Sequence, residues 1–407
     1  MGKTPPIRFP QPARADAPSS ASQGDFSLVL GGPLYQLYLR TRLARPSLEL
    51  LIRRVIVVPL ICWVPLLLLA ALQRHLTGGV RVPFLYDPDV NIRFLATLPL
   101  LIGAEVVVHQ QMKWVVQQFV ERDIIAPEDR LRFQGLIQSA MRLRNSMAFE
   151  LALLAFVFTA GHWVWSKGVS LSVSTWYAPH GAGGGFTTAG YWYVFVSLPI
   201  FRFILYRWAF RIFIWYRFLW QVRKMPLHFN LYHPDRAGGL GFLSTSALAI
   251  APVLVAQTMA FAGIIFSRIL YAGVKLPVFK MEIAGWIVFM VLVAFLPLTF
   301  FSLQLGHAGR VARREFGALA SHYVDDFRRK WVQGTAPPNE QLLGTSDIQS
   351  LADLANSYTV ISELRLFPIT KQTLIRLVIL IALPLLPLTL TMFPLEEMIG
   401  RFFKFML

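Results

Sequence analysis

Long apolar blocks, joined alternately by strongly basic and weakly basic segments, constrain this chain more than any other feature of its sequence. The clearest blocks are Val55 to Leu72, Ile92 to Gln110, Met147 to Trp165, Tyr191 to Arg211, Thr245 to Ser267, Ile283 to Leu305 and Leu374 to Phe393. Blocks of roughly 18 to 25 residues match a hydrocarbon core of ~30 Å crossed at 1.5 Å per residue. Lipid leaves no backbone amide a water partner, so each block pairs its own amides as a helix, and no alternating β-barrel pattern competes. The expected fold class is therefore all-α, a polytopic transmembrane helix bundle of about seven spans. Six remain if the last block, which holds Pro384 and Pro387, only re-enters the membrane.

Composition agrees, with 55% hydrophobic and 15% charged residues against about 25% charged in soluble domains. The net charge of +17 would point to nucleic acid in a soluble protein, but the basic residues sit between the apolar blocks, and no nucleic-acid partner is expected. Residues 1–54, 111–146, 212–245 and 305–373 carry 26 Lys and Arg, the intervening segments carry 8, and the spans carry 5. The positive-inside rule then places the N-terminus and the long basic loops in the cytoplasm. Residues 1–30, rich in Pro, Ala, Ser and Gln without an apolar h-region, read as a disordered cytoplasmic tail. The bundle is expected over 31–393, with cytoplasmic helical insertions at 111–146 and 305–373 and a short tail at 394–407.

The insertions carry helical patterning. Phe133, Leu136, Ile137, Ala140 and Met141 form one face behind Pro127, Glu128 and Asp129, and Phe316, Leu319, Ala320, Tyr323, Phe327 and Trp331 form another. A third helix is expected from Ser346, which with Gln349 matches a capping box. With the basic amphipathic stretch from Leu34 to Arg45 these helices make a layer for anionic lipid or for docking a partner, either a second copy or another membrane protein. No internal repeat is apparent.

Two constellations carry candidate chemistry. The first is intramembrane: Glu105 and His109 lie one turn apart on the second block, Arg202, Arg207 and Arg211 on the fourth, Gln257 and Thr258 on the fifth, and Gln304 and His307 on the sixth. Charges in a bilayer cost a few kcal/mol, so they face the bundle interior and pair, and Glu105 is expected to meet Arg202 or Arg207. Such a pair gates a pathway, relays protons or locks two helices together. The second is the loop His228 to Phe242, with His228, His233, Asp235, Arg236, Gly238 and Gly239 entering the fifth block. Amides at that helix start, beside Arg236, suit a phosphate, a lipid headgroup or a carboxylate, while the structural alternative has Asp235 capping the helix. The single cysteine, Cys62, rules out an intrachain disulfide. No metal-ligand spacing, phosphate-binding loop or nucleophile elbow occurs, so neither metal nor cofactor nor catalytic residue is assigned.

His233-Pro-Asp-Arg-Ala-Gly-Gly-Leu-Gly-Phe242, Thr345-Ser-Asp-Ile-Gln-Ser-Leu-Ala-Asp-Leu-Ala-Asn356 and Pro384-Leu-Leu-Pro-Leu-Thr-Leu-Thr-Met-Phe-Pro-Leu-Glu396, with Gly32-Pro-Leu-Tyr35, resemble stretches of a group of bacterial multi-pass inner-membrane proteins. The resemblance implies a bacterial inner membrane and carries no activity, cofactor or site. Three functions remain: a channel or transporter using the intramembrane polar residues, a membrane sensor, scaffold or assembly protein, and an enzyme acting on a lipid or phosphate-bearing substrate.

Overall fold

The computed structural model describes residues 26–32, 51–159, 173–179, 185–337, 340–342 and 345–392. The expected helix over 34–45 lies outside them, as does the end of the third block. Among the described residues six helices are long and apolar enough to cross a membrane: α1 (Leu51–Leu72), α2 (Pro88–Glu121), α5 (Thr188–Val222), α6 (Leu240–Ala272), α7 (Leu276–Val332) and α9 (Lys371–Met392). The third block appears as a 12-residue apolar helix, α4 (Met147–Phe158). Two further helices, α3 (Arg130–Arg144) and α8 (Ser346–Ser362), lie in the basic insertions. The all-α helix bundle is the architecture, and it is the fold of a membrane-embedded protein.

α2 and α5 are built alike at their starts. Asp87 and Thr187 cap them, each accepting the amide three residues on. A short α-helical turn follows, then a π-helical turn at Arg93–Thr97 or Tyr193–Ser197, then a long α-helix opening Leu98-Pro99 or Leu198-Pro199. Every boundary except the last is offset by 100 residues. The prolines explain the π-turns: each lacks the N–H that a carbonyl four residues earlier would accept, and its ring crowds that carbonyl, so the helix widens by one residue. α1 packs against both π-turns, and the Ser197 hydroxyl donates to the Cys62 carbonyl of α1 at 2.8 Å.

Pro297 also interrupts the regular helix in α7, but there Leu296–Phe301 tightens to a 3₁₀ turn. The carbonyl that Pro297 cannot satisfy is that of Val293, and the Tyr216 hydroxyl of α5 donates to it. Beyond this turn α7 continues unbroken through the expected cytoplasmic helix. At 1.5 Å per residue its 57 residues span about 85 Å, far more than a ~30 Å bilayer core needs.

α8 folds back along the end of α7. Tyr323, Phe327 and Trp331 are half-buried there, Phe316 is buried with Ala312 and Ile361, and Asp347 accepts from Trp331 Nε1 at 2.8 Å and Lys330 Nζ at 2.9 Å. Leu319, expected in the same stripe, is exposed instead. The residue before α8 is Thr345 and makes no side-chain cap; Gln349 bonds Asp353 one turn on, so the expected capping box with Ser346 does not form.

Candidate functional site

Glu105 sits 7% exposed on the inner face of α2. Its Oε2 lies 2.6 Å from Arg54 Nη1 of α1, and its Oε1 accepts both terminal nitrogens of Arg211 of α5 at 3.0 Å. Arg211 also stacks its guanidinium 4.7 Å from the Trp208 ring, whose indole donates to the Leu101 carbonyl of α2. The partners of Glu105 are thus Arg54 and Arg211 rather than the expected Arg202 or Arg207. Arg207 turns toward α4 and meets Glu150 at 3.4 Å. Arg202 is buried near Tyr193 and Arg93, and Arg93 pairs with Asp89 at 2.6 Å and donates to the Tyr193 hydroxyl at 3.1 Å.

Three of the remaining intramembrane candidates do not join this seam. Gln257 is half-buried in α6, Gln304 donates to the Arg223 carbonyl at the end of α5, and His307 is exposed on α7. His109 does join it: its Nδ1 lies 2.8 Å from the Ser27 hydroxyl.

That contact exposes the largest departure from expectation, because the supposed tail enters the bundle before residue 30. Phe26, Leu28 and Val29 are at most 2% exposed, and the Phe26 ring lies 5.2 Å from Phe218. The segment is fastened through alternate carbonyls. Arg144 Nη1 donates to Ser27 O, Arg211 Nη2 to Val29 O at 3.4 Å, and Arg207 Nη2 to Gly31 O at 3.0 Å. Burial and the nearby Arg207 charge push the Arg144 guanidinium down to about 10. Glycine is required where the segment leaves: Gly32 has φ +90°, and a Cβ there would stand 2.8 Å from Glu150 Oε1. A short apolar run, Phe26-Ser-Leu-Val-Leu30, between polar stretches was the sequence signal for this insertion.

The loop before α6 takes the capping arrangement. Asp235 Oδ1 accepts the amides of Ala237 at 2.8 Å and Gly239 at 3.2 Å, and Oδ2 accepts that of Gly241 at 2.8 Å. The amides considered for an external anion thus face the chain's own carboxylate. Gly238 and Gly239 make the tight turn with φ of 63° and 88°. His233 Nδ1 accepts the Asp235 amide, and His228 is exposed. Arg236 pairs with Glu363, while its carbonyl accepts the Arg365 amide at 2.7 Å, so this loop ties α6 to the end of α8. No cluster of three or more metal-ligating side chains occurs among the described residues.

Together these features define a polytopic all-α membrane protein with an ion-paired seam at its centre. The chain matches no family model, no curated protein and no solved structure with which it was compared, so its site rests on its own geometry.

Proposed function

We propose that the protein is a sensor, scaffold or assembly protein of a bacterial inner membrane. Its N-terminus and basic loops face the cytoplasm, its basic face rests on anionic lipid, and the α7–α8 hairpin is presented to a second copy or another membrane protein. The observation that supports this reading is that α7 runs on as helix from Ser302 to Val332, past its apolar stretch, before α8 folds back on it. The side of the hairpin facing α8 is taken up internally, whereas Leu319 and Val324 remain 55% and 47% exposed. The distribution of 26 against 8 basic residues supports the orientation.

A photocrosslinking residue at Leu319 or Val324, introduced in living cells, is expected to give one discrete adduct with another protein chain. The same residue at Phe327 is expected to join only α8 within the chain. Adducts with lipid alone from all three positions would sink the proposal.

A second reading, a conduit, draws on the two π-turns, since such turns recur at functional sites and both of these pack against α1. It predicts that Glu105→Gln alters proton or solute flux in liposomes.

A further inference from the structure

We propose that the basic end of the bundle is a recognition site for a short apolar peptide ending in Gly-Gly, and that residues 26–32 are its resident, exchangeable ligand. The proposal stands independently of the hairpin's role. Three arginines from two helices converge on one row of backbone carbonyls: Arg144 of α3 on residue 27, Arg211 of α5 on residue 29 and Arg207 of α5 on residue 31. Cationic donors on neutral carbonyls make charge-assisted bonds that read a peptide backbone whatever its side chains.

Selectivity comes from three other contacts. The first and third places of the segment, Phe26 and Leu28, are buried, with Phe26 edge-on to Trp215 at 6.0 Å. The second place is a serine whose hydroxyl meets His109 and also accepts the amides of Val29 and Leu30, fixing the bend of the peptide. The last two places admit only glycine: Gly31 and Gly32 have φ of +146° and +90°, and added Cβ atoms would lie 2.3 Å from Arg144 Nη2 and 2.8 Å from Glu150 Oε1. Among the described residues the segment belongs to no helix, and the contacts named above are made by side chains of the bundle. A peptide of the same pattern therefore competes with it on equal terms, apart from the advantage of being tethered.

The whole sequence can be supplied as two co-expressed chains, residues 1–32 and 33–407, so that no part is missing. The short chain is expected to co-purify with the long one in detergent and to be displaced by a synthetic peptide of residues 22–32. A short chain carrying Gly32→Val should be lost, and a Gly32→Val peptide should displace at least tenfold less well. These variants leave the membrane part unchanged, so a folding defect cannot imitate the result. Loss of the natural short chain, failure of the natural peptide to displace it, or equal displacement by both peptides would overturn the proposal.

Discussion

Nη1 of Arg54 on α1 lies 2.6 Å from Oε2 of Glu105 on α2, and the other carboxylate oxygen is held by Arg211 on α5. One buried acid thus joins three helices whose apolar faces have little reason to choose one register over another in lipid. Interhelical polar contacts supply that choice where the hydrophobic effect does not.

Removing the acid strands two buried guanidinium groups beside each other. Breaking a buried pair costs about 3–5 kcal/mol. Glu105→Gln is expected to lower the thermal unfolding midpoint in detergent markedly. Arg54→Gln should do likewise, and the double variant should lose less than the sum of the two because the residues share one interaction. Strictly additive losses would mean that the pair carries no coupling.

Asp235 accepts three amides at the entry to α6. Loss of a capping side chain costs about 0.5–2 kcal/mol, and this one does more than a single cap. Asp235→Ala is expected to sit at the upper end of that range and to open residues 228–240 to limited proteolysis. Asp235→Asn, keeping one acceptor oxygen, should be milder. Equal protease resistance in all three proteins would show that the loop is held by other means.

Asp87, in the loop before α2, has its carboxyl pushed up from 3.8 to about 6, first by burial and then by the Asp89 charge. An acid raised on folding binds its proton more tightly in the folded state. Its stabilising contribution is full below pH 3.8 and is lost as pH rises through about 6. Trp176 Nε1 donates to its Oδ2 at 3.0 Å, so tryptophan emission should shift with a midpoint near pH 6. Asp87→Asn should abolish that transition; an identical transition in the variant would assign it to another group.

Much of this architecture is written in local sequence. Apolar block length marks the spans, and Pro127-Glu-Asp129 marks the approach to α3, because these depend on neighbours along the chain. What the sequence does not disclose is which helices touch. Glu105 could be seen to need an arginine, yet the choice of Arg54 and Arg211 over Arg202 and Arg207 depends on helix rotation and packing. Arg54 was hidden by its position at the very edge of an apolar block. The paired Leu-Pro steps at 98 and 198 were a readable sign of the repeated π-turns, overlooked because side-chain similarity around them is slight. Residues 26–32 were masked by the polar composition around them.

On the scaffold reading, the buried seam around Glu105 is a closed joint between α1, α2 and α5. Val108, one turn from Glu105 and 0% exposed, offers a mild probe. Val108→Cys in a Cys62→Ala background, reconstituted in liposomes, can be challenged from both sides with a charged, membrane-impermeant thiol reagent. A closed joint gives no labelling until the protein is unfolded; prompt labelling of the folded protein from either side would reveal a water path instead.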